Sequence, residues 1–348
     1  MRRKLKILVL IKPFWRAYPK HRQKFGVIKA LEKLAEVKYW YKDGNIHDIL
    51  SELEFQPDFI YHYETAWRYS MAPKITGLDT VNIPKGCFVN DLHYKPTAAQ
   101  VRKYGEESRT SYIDKNKIDL IFCPVKHSFF QVYPQYRDKH RWLPWSINPY
   151  VIKDWGLRKS IDYLLMGQFH YRGRKYRPRR NPPKGNYKFR EVVFRKMQHA
   201  NGFVYHPHPG HSVRRTKGVM INARYARELN RSKIFFTCGG QWQCAVFKFF
   251  EAPGCKTLLL AEPNADVLEL GFKDGVNFVA CNEFNVEKKA QYYLKNVRER
   301  RRITNAGYAF IHKYHTNRVR ARQFINYVED FLRRKQARGR RVTTLAPM

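Results

Sequence analysis

The stretch from Arg224 to Glu262, RYARELNRSKIFFTCGGQWQCAVFKFFEAPGCKTLLLAE, carries the residues best suited to chemistry. It reads as helix, buried strand, polar loop, second helix and second buried strand. Glu251 lies in its middle, just ahead of a Pro-Gly turn signal. Open α/β sheets bind ligands in the crevice outside the carboxyl ends of their strands, so a carboxylate at a strand-helix junction sits where a ligand is held. The chain around it is strongly basic. An acid inside a basic cleft suits a ligand with both hydroxyls and phosphates, such as a nucleotide sugar. Glu251 would accept charge-assisted hydrogen bonds from both ribose hydroxyls, with Ala252, Pro253 and Gly254 allowing close approach. The plainer role is to complement the dipole of its own helix.

Cations near a departing phosphate stabilise its developing charge, and Lys248 and Arg190 are the candidates for that task; either could also be a solvated surface cation. The glycine-rich backbone and helix N-terminus beside Glu251 suit a diphosphate. In HPHPGH, His208 offers a donor to phosphate or base and Gly210 close backbone approach, with His211 following. The spacing of His206, His208 and His211 raises metal binding, but no acid or cysteine accompanies them, so no metal is expected. In VNDLHY, Asp91 and His93 follow an apolar strand. An acid or imidazole there could take a proton from an acceptor hydroxyl, or Asp91 could cap the next turn.

The elements that must position these residues alternate. Lys6–Ile11, Val37–Tyr41, Asp58–Tyr63, Gly86–Asn90 and Asp119–Cys123 read as strands, with helices at Phe25–Ala35 and Ile46–Leu53. Such alternation argues for a parallel sheet with helices on both faces. Trp142–Pro149, with prolines near both ends, reads as a connection. The pattern then restarts with strand Tyr163–Met166, helix Phe189–His199 and strand Gly202–Tyr205, followed by the opening stretch. Val286–Val328 reads as long, charged and helical. Tyr171–Pro183 reads as an exposed basic loop, and Arg333–Arg341, with six basic residues in nine, as disordered. Two Rossmann-like domains facing a cleft are expected, at residues 1–150 and 151–330, with a basic tail at 331–348.

At 348 residues the chain has room for two cores. Its 67 Lys and Arg against 29 Asp and Glu give a formal charge of +38. That excess bears on partners: nucleic acid, an anionic glycan or an anionic membrane surface would bind in a salt-dependent way. The first loop, Lys12–Lys24 (KPFWRAYPKHRQK), interleaves aromatics with cations, a pattern that suits exposed bases. Six cysteines form no CxxC pair, and most sit in apolar runs as reduced thiols do, pointing to a cytoplasmic protein. No apolar run reaches the roughly 18 residues of a membrane span. The N-terminal apolar run is read as a first buried strand, not a signal peptide. No GxGxxG, GxxxxGK[ST] or GxSxG is placed to support a dinucleotide oxidoreductase, P-loop enzyme or serine hydrolase.

LNRSKIFFTCGG, KFFEAPGCKTLLLAE, ELGFKDGVNFV and YYLKNVRERRRITNAGYAFIHKYHTNRVRARQF, with YKFREVVF and HPHPGH upstream, follow one another in a specific order and spacing. Over residues 160 to 330 this series resembles the spore maturation protein CgeB-like glycosyltransferases, group 1 enzymes of the GT-B architecture. The resemblance is weak over residues 1 to 150. It implies an α/β fold of GT-B type, a nucleotide-sugar co-substrate (UDP-linked), no tightly bound cofactor or metal, and retention of anomeric configuration. It also implies a last helix, around Val319 to Arg334, that packs back on the first domain. Glu251 matches the family's glutamate, and Arg190 the arginine of a Y-x-x-R element. Lys248 stands where the family often has arginine, which keeps the charge and loses the bidentate fork. Asn230, Ser232 and Lys233 match an N-x-S-K element, or merely cap and pack. With retention no enzymatic base is required, and Asp91 would position sugar or acceptor. The function implied is transfer of a sugar to a hydroxyl on a polyanionic acceptor, such as modified bases of viral DNA. The alternatives are a spore-coat or cell-envelope polymer as acceptor, or a non-catalytic polyanion-binding protein on a GT-B scaffold. Oligomeric state is left open.

Overall fold

The computed structural model describes residues 3–63, 71–90, 92, 109–168, 187–210, 213–214 and 217–344, with side chains to residue 337. The first sheet holds six parallel strands: β1 (Lys6–Leu10), β2 (Glu36–Trp40), β4 (Phe59–His62), β6 (Lys85–Phe88), β7 (Leu120–Cys123) and β8 (His140–Trp142), in the order β2-β1-β4-β6-β7-β8. β3 (Gly44–Asn45) and β5 (Ile75–Thr76) form a small parallel pair beside it. The second sheet holds β9 (Ile161–Gly167), β10 (Phe203–Pro207), β11 (Ser232–Thr237), β12 (Leu258–Ala261) and β13 (Val279–Ala280), in the order β10-β9-β11-β12-β13. The near-continuous apolar runs of β1, β4, β7, β11 and β12 follow from burial on both faces, as parallel sheets require. β2 and β10, at sheet edges, are only partly buried.

One expected connection proves partly structured. Trp142 ends β8, a strand too short to show a period, and residues 143–149 after it cross to the second domain. The expected helix at Phe25–Ala35 becomes 3₁₀ turns over Pro19–Phe25 and a helix over Gly26–Leu31. Val286–Val328 is not one helix but three, Val286–Lys295, Val297–Tyr314 and Asn317–Thr344, broken at Asn296 and His315 by non-helical backbone. The last helix runs to Thr344, so the basic tail read as disordered has a helical backbone as far as that residue. Arg, Lys, Gln and Ala are strong helix formers, which composition alone does not weigh against charge repulsion. The Tyr171–Pro183 loop lies outside the described residues.

That last helix crosses back onto the first domain. Ala321, Phe324, Ile325 and Val328 are buried in the same cluster as Ile7, Phe59 and Phe122. Phe324 stacks on Phe122 at 4.4 Å between centroids and meets Tyr61 at 4.8 Å. The helix Gly26–Leu31 approaches so closely that a Cβ on Gly26 would lie 2.1 Å from Asn317 Nδ2. The first core is therefore completed by residues distant in sequence. Phe324→Ala is expected to cost about 3–5 kcal/mol, read in denaturant unfolding of the first domain.

The two domain crossings run side by side. Ile147 N donates to His315 O and Asn317 N to Ile147 O, both at 2.9 Å. Ser146 Oγ donates to Asn317 Oδ1 at 2.8 Å, and Arg320 Nε to Pro144 O at 3.1 Å. His315 is buried against Arg320, and burial followed by that guanidinium lowers its pKa to about 3. Burial likewise holds His62 and His140 down near 4. His62 is held between Tyr112 Oη and Pro73 O, and His140 Nε2 lies 3.1 Å from Val125 O. In each case the folded pKa lies below the ordinary histidine value of 6.5. The unfolded chain thus binds more protons between that value and the folded pKa. Their contribution is complete above pH 6.5 and shrinks as the pH falls toward 4. The melting temperature is accordingly expected to fall steadily over that interval, by thermal unfolding in a pH series.

Candidate functional site

In sheet order β10-β9-β11-β12, the chain leaves β9 for β10 on one side and leaves β11 for β12 on the other, so a crevice opens at the carboxyl ends of β9 and β11. Gly167 ends β9 there with φ of +129°, backbone that favours glycine. A Cβ at Gly167 would lie 3.2 Å from Arg190 Nη1, 3.4 Å from Lys248 Cε and 3.6 Å from Lys248 Nζ. The two cations named from sequence therefore converge on one point at a strand end. Arg190 is buried, on the helix Lys188–Met197, and its Nη2 donates to Thr237 Oγ1 (3.3 Å) and Cys238 O (3.2 Å) at the end of β11. Its guanidinium lies 4.2 Å from the centroid of Tyr187. Arg190 Nε has no hydrogen-bond partner among the described residues. Burial, then the neighbouring Arg190, lowers Lys248 to about 8.

Lys248 and Glu251 share the helix Phe247–Gly254, entered from the loop that holds Gly239 and Gly240; no side chain caps its start. Glu251 does not stand at the start of this helix, as expected at a strand-helix junction, but in its second half, so it does not complement the N-terminal end of the helix dipole; the Pro-Gly pair after it lies within the last turn. Pro253 costs one internal hydrogen bond, and the helix ends one residue later. Glu251 is 7% exposed and accepts a 2.9 Å hydrogen bond from Tyr225 Oη. Burial raises its pKa, while Lys248, the Tyr225 hydrogen bond and Lys20 oppose the rise. Tyr225, pushed well above its usual pKa by burial and by Glu251, is held as the phenol. It lies within the stretch that drew attention in the sequence, but a tyrosine on a helix carries no signal of its own until the fold sets it against an acid.

Several sequence candidates fall elsewhere. Ala252 is fully buried in the second core. A Cβ at Gly254 would press on Ile152 at 2.8 Å and Ile147 at 3.3 Å, so this glycine lets the helix approach the crossing segment, not a ligand. Ser232 and Lys233 begin β11, at the opposite end from Thr237. Ser232 Oγ donates to Glu228 O, and Lys233 pairs with Asp162. Asn230 bonds Leu157 N, Asp154 Oδ1 and Cys255 O, a structural tie. These three serve packing, because short N-x-S-K spacing does not report which end of a strand the residues occupy. His206 faces Glu228 at 2.8 Å, whereas His208 faces Lys20, so these two histidines have separate partners. Asp91, His93 and His211 lie outside the described residues.

The opposing wall comes from the first domain. Lys20 Nζ lies 2.6 Å from His208 Nε2 and donates to Gly210 O at 3.0 Å, while Pro19 O accepts from Asn222 Nδ2 at 3.2 Å. Two aromatics of this loop turn inward: Phe14 is buried on Tyr63, and Trp15 stacks on Phe25 at 3.8 Å. They are thus taken up in packing, and the expected platform for exposed bases is not formed by them. A second bridge joins strand-end segments. Asp266, fully buried, accepts from Lys126 N and His127 N, each at 3.1 Å, and pairs with His127 Nδ1 at 2.7 Å. It caps, from the second domain, the start of the helix His127–Val132 in the first. Ser128 Oγ donates to Trp242 O at 2.6 Å. Carboxyl-end loops of both sheets therefore face one another.

Arg224, Arg227 and Arg231 are exposed along the helix Asn222–Asn230 and its C-cap. With Leu157, His206, Met220 and Glu228 they line a groove of about 570 Å³.

Residues 189–326 match a protein family described as Glycosyl transferase-like. Among solved structures, a glycosyltransferase from Rickettsia africae superposes with TM-score 0.54 at 11% identity, covering 95% of this chain and 99% of that one. HepE of Anabaena, determined in complex with UDP-glucose, gives TM-score 0.55 at 9% identity over 94% of this chain and all of its own. Sucrose-phosphate synthase from Thermosynechococcus elongatus gives TM-score 0.50 at 11% identity, covering 89% of this chain and 79% of that chain. No curated protein sequence matches the chain at a significant level. The fold is that of the GT-B glycosyltransferases. No helix among the described residues is long and apolar enough to cross a membrane.

Gly167→Ala would place a methyl group between Arg190 and Lys248. It is expected to weaken binding of inorganic pyrophosphate roughly tenfold or more, the loss of one good charge-assisted contact, in a calorimetric titration of a variant that circular dichroism shows to be folded.

Proposed function

We propose that this protein is a glycosyltransferase that moves a sugar from a UDP-linked donor to a hydroxyl on a polyanionic acceptor. One observation carries the reading: the convergence of Arg190, Lys248 and the buried Glu251–Tyr225 pair on the crevice at the ends of β9 and β11. Glu251 would accept from the two ribose hydroxyls, and the cations would meet the diphosphate. HepE, which shares the fold, was determined with UDP-glucose, and the match to a glycosyl transferase-like family spans these residues.

In the transfer, the bond between the sugar's anomeric carbon and the β-phosphate oxygen breaks, and one to the acceptor oxygen forms. Negative charge grows on the departing UDP, where Arg190 and Lys248 stabilise it within a poorly solvated crevice. With retention of configuration the hydroxyl proton passes to the departing phosphate oxygen. No enzymatic base or metal is then needed, and Asp91 and His93 would orient the acceptor. The arginine groove supports an anionic polymer as acceptor. DNA bearing hydroxylated bases is one such polymer, and a spore-coat or cell-envelope polymer is the other; salt-dependent binding to duplex DNA, compared with heparin, separates them.

A ligand that binds only the native state stabilises it with occupancy. In a thermal-shift panel of UDP, GDP, ADP, dTDP and CMP, UDP is expected to raise the melting temperature of the wild type and to leave Glu251→Ala unmoved. A protein that no nucleotide stabilises would instead be a polyanion-binding scaffold.

A further inference from the structure

The loop after β1 sends a lysine across the cleft, and its surroundings are unusual for an ammonium. Lys20 Nζ donates to Gly210 O at 3.0 Å and lies 2.6 Å from His208 Nε2. Gly210 N–H in turn donates to His208 Nδ1 at 3.1 Å. The hydrogen bond at one ring nitrogen sets the tautomer at the other. With Nδ1 accepting, the proton of a neutral His208 sits on Nε2, pointing at Lys20 Nζ. That contact is favourable when the lysine presents a lone pair, so the hydrogen-bond geometry selects a neutral amine. The charges around it agree. Burial, Lys248 and Lys24 lower the pKa of Lys20 to about 7, with Glu251 acting in the opposite direction.

We propose that Lys20 is a diphosphate-binding residue lent by the first domain, a neutral amine in the free protein that takes up a proton when the donor's phosphates arrive between Arg190 and Lys248. The inference rests on the nucleotide-sugar reading of the same crevice. Lys20 acts in one electrostatic neighbourhood with Lys248 and Glu251, the two residues that flank the expected phosphate and ribose positions. A diphosphate would add its negative charge to that of Glu251 among these cations. The ammonium would then turn from His208 to a phosphate oxygen. Because the lysine stands on the first domain and the other cations on the second, its protonation ties donor occupancy to closure of the cleft.

The sign is fixed by linkage. A base whose pKa rises on binding holds more protons in the complex, so binding takes up protons between the free and bound values, and affinity falls as pH rises through that window. The ligand does not contribute at pH 8, where its phosphates are fully ionised, having a last pKa near 6. Lys248, at about 8 in the free protein, adds an uptake of its own.

The test is calorimetric titration of UDP at pH 8 in Tris and in HEPES, whose different ionisation heats report protons exchanged. Wild type, Lys20→Met and Lys20→Arg are compared. Wild type is expected to take up protons. Lys20→Arg, permanently charged, should keep its affinity within a few-fold while losing part of the uptake. Lys20→Met should lose the same part and bind UDP roughly tenfold or more weakly, the scale of a lost charged hydrogen bond. A residue that merely held the domains together would weaken binding in Lys20→Met yet leave the uptake per bound UDP as in wild type, and that result would overturn the proposal, as would unchanged uptake in both variants. If wild type binds no nucleotide, the donor reading falls. Inorganic pyrophosphate then serves as the probe: Lys20-dependent uptake sustains the proposal, and uptake indifferent to Lys20 sinks it.

Discussion

Two parallel sheets can share one ligand only if their carboxyl ends are made to face each other, and the paired crossings enforce this. Residues 143–149 run out of the first domain beside 315–320 running back, bound by reciprocal main-chain hydrogen bonds at Ile147 and by Arg320 on Pro144 O. Because the returning helix buries Phe324 against Phe59 and Phe122, the first core is completed by a segment that follows the second domain in the chain. Burial of that apolar surface, the dominant favourable term in folding, therefore also sets the relative placement of the two crevices.

Within the cleft the dominant physical fact is the burial of cations. Burial first, and neighbouring positive charge second, raise the cost of keeping Lys20 and Lys248 charged. Proteins meet such costs by neutralising a group or pairing it. Here Glu251 offsets part of the charge, and its own burial is eased by Tyr225. The arrangement is strained toward an anionic ligand. The contacts that bridge the domains at Asp266 and at Lys20 use strand-end loops.

Much of the fold was legible. Strand cores at Lys6–Leu10, Phe59–His62, Leu120–Cys123 and Leu258–Ala261 stand out because burial on both faces demands unbroken apolar runs. Short or edge strands such as His140–Trp142 and Val279–Ala280 do not, since two or three residues carry no period. At the site, Glu251, Lys248 and Arg190 were legible as charged residues beside strand ends. Ser232 and Lys233 were equally plausible by spacing and lie at the other end of the same strand. Tyr225 and Gly167 gave no local signal, because a phenol's partner and a glycine's neighbours come from other elements.

The sequence by itself determined the alternation of strand and helix, the excess of positive charge, and the candidate acid and cations, since each rests on local pattern or composition. The return of a final helix was implied by the resemblance, but tertiary structure alone decided which of its side chains complete the first core and that Phe14 and Trp15 of the first loop turn inward. It alone brought Lys20 over His208 and Gly210. The Lys20 contacts join residues more than 180 positions apart, and their free energy, set by burial and through-space charge, leaves no trace in any window of neighbouring residues.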